Sequence, residues 1–185
     1  MAYRILIVDD EHELQNMVKE ILTQAGYETD AALSCAQTLE RFQAGNPDAV
    51  LLDVNLPDGD GFSLFGQLRE SRERCAALEE QSFRQLAERY QNAGNVLLVQ
   101  PDLEPDSVRR LCDAVSGTCG GRCAVFAGSD GSYRWAVIHP GQDLRPLIRD
   151  MNQALHSRGG GRDGFAQGSA ACTADEIHAF FRDRP

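Results

Sequence analysis

Residues 3–10, YRILIVDD, and residues 49–62, AVLLDVNLPDGDGF, decide the fold of this 185-residue chain. Each opens with a short apolar run that stops at aspartate, as a strand buried on both faces does. Between them Leu14, Met17, Val18, Ile21 and Leu22 recur at helical spacing, and Gly26 closes that helix as a C-cap. Residues 27–31 read as a weaker strand. Ser34 opens a second helix, with Gln37 placed to complete a capping box. Asn46-Pro47 then breaks the chain before the third strand. The order strand-helix-strand-helix-strand predicts an α/β unit with a doubly wound parallel sheet.

Beyond Phe62 the rhythm changes. Up to about Asn92 there is no proline and one glycine, Gly66, among helix formers. A helix of about 30 residues would be about 45 Å long. Leu64, Leu68, Cys75 and Leu78 share one stripe, which Phe83, Leu86 and Tyr90 continue imperfectly; a break near Ser71-Arg72 is the alternative. NVLLVQ (95–100) predicts a strand, and Asp106 or Ser107 caps a helix running to about Val115. A glycine-rich turn, SGTCGG, leads to CAVFAG and YRWAVIH, which flank Asp130-Gly131, a strong hairpin signal. Pro140-Gly141 is a turn, and residues 143–157 read as a helix ended by Gly159-Gly160-Gly161. Thr173 and Glu176 form a capping box for a last helix, Ala174 to Phe181. The expected domains are 1–70, an incomplete β-α-β-α-β unit; 71–92, a connecting helix; and 93–185, a small α/β domain with a β-hairpin.

Charge is uneven along the chain. Residues 1–70 hold 4 Lys/Arg against 13 Asp/Glu, a net −9, whereas residues 71–185 hold 14 against 15, a net −1. The acidic part disfavours nucleic acid, and the remainder does not. Lys19 is the one lysine in the chain. No apolar run approaches the roughly 20 residues of a membrane span, and the N-terminus lacks a signal-peptide pattern, so a cytoplasmic location without a membrane partner is expected. Six cysteines in such a chain read as free thiols. Cys119 and Cys123, joined by Cys112 and His139, are the only zinc-like grouping, and without a second close pair zinc is not expected.

Asp9, Asp10 and Asp53 fall at the carboxyl ends of the first and third strands, where doubly wound sheets bind ligands. Clustered carboxylates suit a hard cation such as magnesium, and an aspartate beside it is a competent nucleophile toward phosphorus. The plainer alternative is a set of strand-end aspartates that cap helices.

ILIVDDE followed by LLDVNLPDGDGF resembles the receiver domain of bacterial response regulators over about residues 2–70. The resemblance implies that Asp53 is the phosphoacceptor. It further implies that Asp10, Asp53 and the main-chain carbonyl of Asn55 hold magnesium, that Asp9 completes the acidic pair, and that Pro57 and Gly61 shape the following loop. It also implies two more strands, one ending in Ser or Thr and the last in Lys. NVLLVQ ends instead in Gln100-Pro101, and Lys19 lies on the first helix. The expectation is an incomplete receiver with impaired phosphorylation, its third strand on an open edge.

Residues from about 75 to 183 resemble the DHH-associated domain at the C-terminus of alanyl-tRNA synthetases and of related editing proteins and phosphoesterases. HSRGGGRDGFAQGS (156–169) carries that resemblance. Glycines let main-chain N–H groups approach an anion, and arginines pair with phosphate. Arg158, Gly159, Gly160, Gly161 and Arg162 are therefore the candidate contacts to tRNA or other RNA; a glycine turn with two solvated arginines is the alternative. No His-x-x-x-His, Cys-x-x-x-His or DHH pattern occurs, so no enzyme is expected.

The preferred expectation is a non-catalytic fusion of a receiver-like fragment with an RNA-binding module, with a homodimer through the long helix as a further option. One alternative is a two-component signalling protein phosphorylated on Asp53 by a sensor histidine kinase. The other is a chimeric chain without a selected joint function.

Overall fold

The computed structural model describes residues 3–101 and 103–182. The chain divides into two compact units, Met1–Ala76 and Ala77–Pro185. Among the described residues no helix is long and apolar enough to cross a membrane.

In the first unit, β1 (Arg4–Val8), α1 (His12–Gln24), β2 (Glu28–Ala32), α2 (Cys35–Gly45) and β3 (Ala49–Leu52) follow the expected order. The sheet order is β2-β1-β3, and both pairings are parallel. α1 ends as its sequence predicts: Gly26 takes φ +89°, its N–H donates to Thr23 O, and Tyr27 N–H donates to Leu22 O, both at 3.0 Å. At the start of α2, Ser34 Oγ accepts the Gln37 N–H at 3.2 Å. Gln37 Oε1 returns not to Ser34 but to the Leu33 N–H, at 3.0 Å. Leu6, Val8, Ala32, Phe42, Leu56, Leu64 and Leu68 form the core.

β3 is not the buried strand its composition suggests. It lies at the sheet edge, and Leu51 is 46% exposed. On α1, Leu14, Met17 and Ile21 are exposed as well. A side chain of this size contributes about 1.5–3 kcal/mol when fully buried, so this unit rests on a small core.

Two short strands, β4 (Asn55–Leu56) and β5 (Gly59–Asp60), pair into a hairpin before α3 (Gly61–Arg89), which is 29 residues long and unbroken at Ser71-Arg72. The stripe along α3 is divided. Leu64 and Leu68 pack in the first core and Phe83 and Ala87 in a second, while Cys75 and Leu78 between them are exposed.

The second unit continues with β6 (Gly94–Gln100), α4 (Pro105–Cys119), β7 (Gly120–Ser129), β8 (Ser132–Ile138), α5 (Arg145–Ala154), β9 (Ser157–Arg162), β10 (Phe165–Ala170) and α6 (Ala174–Arg182). Its sheet order is β6-β7-β8-β10-β9, with β6 and β7 parallel and the other pairs antiparallel. Trp135, Phe126 and Met151 belong to the core on one face, and Leu111, Val115 and Val125 to that on the other. The Asp130-Gly131 hairpin and the Thr173–Glu176 capping box are both present. α4 starts earlier than expected because Pro105 fits its first turn, and it runs through SGTC to Gly120, whose φ of +76° ends it. α5 stops at Ala154, so the three glycines are not a helix-terminating loop but the middle of a strand.

Candidate metal centre

β1 and β3 run parallel with Val8 opposite Leu52, so the chain leaves both strands at the same end of the sheet. Asp9, Asp10 and Asp53 each offer an oxygen there, and these atoms lie within 4.8 Å of one another. Asp9 and Asp53 are half-buried and Asp10 is exposed. Like charges at such separations repel by about 1 kcal/mol per pair in a watery setting and by more where solvent is thinned. A donor set of three carboxylates, without nitrogen or sulfur, fits a small hard cation such as magnesium.

The main chain fixes two of the three. Asp53 N–H donates to Val8 O at 2.9 Å, and one of its carboxylate oxygens accepts the Val54 N–H at 2.6 Å. Asp9 N–H donates to Ala32 O at 3.1 Å, and its Oδ1 accepts the Glu11 N–H at 2.8 Å. Asp9 Oδ1 thus closes a short turn ahead of α1 and does not cap it, since the N-cap Glu11 makes no side-chain cap bond.

Gln15 is a positioning residue that the sequence reading missed. It is buried, and its Nε2 donates to Asp9 O at 2.8 Å and to Ala32 O at 2.6 Å, tying α1 to the ends of β1 and β2. The sequence carried little signal for it, since Gln15 is one of several polar residues on α1.

The loop after Asp53 is held by its own carboxylates. Asp58 accepts the N–H groups of Cys35, at 2.7 Å, and of Ala36, at 3.0 Å, at the N-terminus of α2. The N–H groups of Ala36 and Cys35 hold the Asp58 carboxyl below the ordinary carboxylate range. Asp60 Oδ1 accepts the Ser63 N–H at 2.9 Å in the first turn of α3, and Ser63 likewise lowers that carboxyl. Gly61 N–H donates to Val54 O at 2.8 Å and closes the loop. Asn55 is exposed on β4, and Lys19 is exposed on α1. A groove of about 280 Å³ opens at the cluster, lined by Asp9, Asp53 and Gln15 together with apolar Ile7, Leu14 and Leu51.

The other sequence candidates lie in the second unit. Arg158, Gly159, Gly160, Gly161 and Arg162 form β9, paired with β10. Two of the glycines are required by packing. A β-carbon on Gly159 would lie 2.3 Å from Cζ2 of Trp135, and one on Gly161 would lie 2.1 Å from Phe165 O. Trp135 Nε1 also donates to Ser157 Oγ at 2.9 Å. Both arginines are exposed. Cys112, Cys119 and Cys123 are fully buried in the apolar core; the neighbouring Cys123 thiol and burial push the Cys112 thiol far up, a setting for inert thiols.

Residues 5–100 match the family model described as the response regulator receiver domain. The chemotaxis protein CheY of Bacillus subtilis is 35% identical over 88 residues, which cover 44% of this chain and 73% of CheY. A solved receiver domain from Methylobacillus flagellatus is 35% identical, with a TM-score of 0.37, covering 37% of this chain and 58% of that one. The chain thus spans less than two thirds of that structure. The C-Ala domain of Aquifex aeolicus alanyl-tRNA synthetase is similar at 19% identity and a TM-score of 0.42, covering 48% of this chain and 84% of that domain.

The receiver match and the CheY likeness, with the aspartate cluster, overturn the expectation of a non-catalytic fusion with impaired phosphorylation, and that of a chimera without joint function. They agree with the alternative drawn from the same residues, a signalling receiver. The matched region ends with β6, which pairs with β7 in the second sheet.

Proposed function

The chain belongs to the response regulator receiver family, and from that premise we propose that it is a two-component signalling protein whose Asp53 accepts a phosphoryl group. The observation that carries the reading is the convergence of Asp9, Asp10 and Asp53 oxygens within 4.8 Å of one another at the ends of two parallel strands. Asp9, Asp10, Asp53 and the main-chain carbonyl of Asn55 would hold magnesium, which supplies charge neutralisation at the transferring phosphoryl group. The Asp53 carboxylate attacks phosphorus and forms an acyl phosphate. The bond to the donor breaks, and the electron pair leaves with the imidazole of a phosphohistidine or with acetate. The donor class is a sensor histidine kinase or a small acyl phosphate, and the chain is a phosphoacceptor rather than an enzyme in the usual sense.

With Lys19 exposed on α1 as the one lysine, the cation rather than an ammonium balances the cluster, so phosphorylation should depend strictly on magnesium. Intact-mass measurement after acetyl phosphate and magnesium tests this. One phosphoryl adduct is expected, lost in Asp53→Asn and on chelation. No adduct on the native chain, or an adduct that survives Asp53→Asn, ends the proposal.

A further inference from the structure

The five-stranded sheet ends in β9, and α5 packs against that strand. A second groove, of about 260 Å³, opens there. Leu144, Ile148 and Ala166 form its apolar floor, with Arg149 and Asn152 on the helix side and Gly161 on the strand side. Three polar groups converge on it. Asn152 Nδ2 donates to Gly159 O at 3.4 Å, so that carbonyl faces the outer edge of β9, and alternation along the strand turns the Gly161 N–H to the same edge. Asn152 Oδ1 is buried and has no donor, an uncommon state for a polar atom in a folded protein. A bond of 3.4 Å is weak enough for the amide to turn its oxygen into the groove. Arg149 is exposed and makes no ion pair among the described residues, whereas Arg145, one turn before it, is held by Asp143 and Asp163.

The chemistry of these groups asks for both signs of charge in one small ligand. The Arg149 guanidinium and the Gly161 N–H suit an oxyanion, while Asn152 Oδ1 requires a donor. A phosphate group alone would leave Asn152 Oδ1 facing negative charge. Among the described residues no aromatic side chain lines the groove, so a nucleobase finds nothing to stack on. We propose that the groove binds a small aliphatic α-amino acid. Its carboxylate rests on Arg149 and the Gly161 N–H, its ammonium on Asn152 Oδ1, and its side chain on Leu144, Ile148 and Ala166. The site lies within the second unit and does not depend on phosphorylation of Asp53.

Calorimetric titration of the full chain with L-leucine tests this, and binding with a Kd of about 1 mM is expected. L-Leucinamide lacks the carboxylate and 4-methylpentanoate lacks the ammonium, so each should bind at least about tenfold more weakly. Arg149→Ala, at an exposed position, should weaken leucine binding about tenfold, and Asn152→Ala should do the same. The fluorescence of buried Trp135 controls for folding of the second unit. Should Asn152→Ala fail to fold, Arg149→Ala and the two analogues still decide the matter. Absence of leucine binding at about ten times the expected Kd overturns the proposal. It is equally overturned if either analogue or inorganic phosphate binds as tightly as leucine, or if Arg149→Ala keeps the native affinity.

Discussion

A β-carbon on Gly61 would lie 2.1 Å from the main-chain carbonyl oxygen of Asp53. The first residue of α3 is thereby pressed against the backbone of the residue that carries the chemistry. Gly61→Ala should cost the first unit about 1–3 kcal/mol. Urea unfolding followed by circular dichroism measures this, and the phosphoryl adduct from acetyl phosphate should fall in parallel. A variant of unchanged stability and unchanged labelling would contradict the packing described.

Asp58 gives the first unit a pH dependence. Its folded carboxyl titrates below its unfolded value, so the bonds to Ala36 and Cys35 contribute in full above the ordinary aspartate pKa of about 3.9. That contribution is lost as pH falls through the depressed folded value. Unfolding midpoints of the first unit, taken at steps from about pH 6 to pH 3, should drop at the acid end. Asp58→Asn should flatten the drop, and an identical profile for both chains would refute the assignment.

Gln15 holds two carbonyl oxygens that lie at the ends of different strands. Gln15→Met keeps much of the volume but removes the side-chain donor to Asp9 O and leaves Ala32 O with the Asp9 N–H alone, at a cost of about 1–3 kcal/mol. Magnesium titration followed by NMR should show weaker binding in the variant, since Asp9 loses its anchor. Wild-type affinity in a folded variant would reduce Gln15 to a core filler.

The glycines of β9 should not be equivalent. Gly159→Ala places a methyl against Trp135 and should destabilise the second unit by about 1–3 kcal/mol. Gly160→Ala meets nothing within 4 Å and should be neutral or slightly stabilising. Trp135 emission reads both, because it is the one tryptophan and lies in that core. Equal effects at the two positions would contradict the register of β9 on β10.

Much of this was legible from residue pattern alone. The strands that end in Asp9 and Asp53, the caps at Gly26 and Ser34, the Asp130-Gly131 hairpin and the long uninterrupted helix all follow local rules. Three things did not. The open edge of β3 was expected, but the exposure of Leu51 was not, because an apolar run reads as a strand covered on both faces. The glycines at 159–161 read as a loop because the demand for them comes from Trp135, distant in sequence. Gln15 reads as one polar residue on an amphipathic helix until the chain brings Asp9 O and Ala32 O together above it.

The water-facing Leu14, Met17, Ile21 and Leu51 bear on calorimetry. Apolar groups already hydrated in the folded state add little to the heat-capacity increment of unfolding. The first unit therefore has a flatter dependence of stability on temperature than its length implies. In an isolated chain it should melt gradually, beside a sharper transition from the segment with two apolar layers.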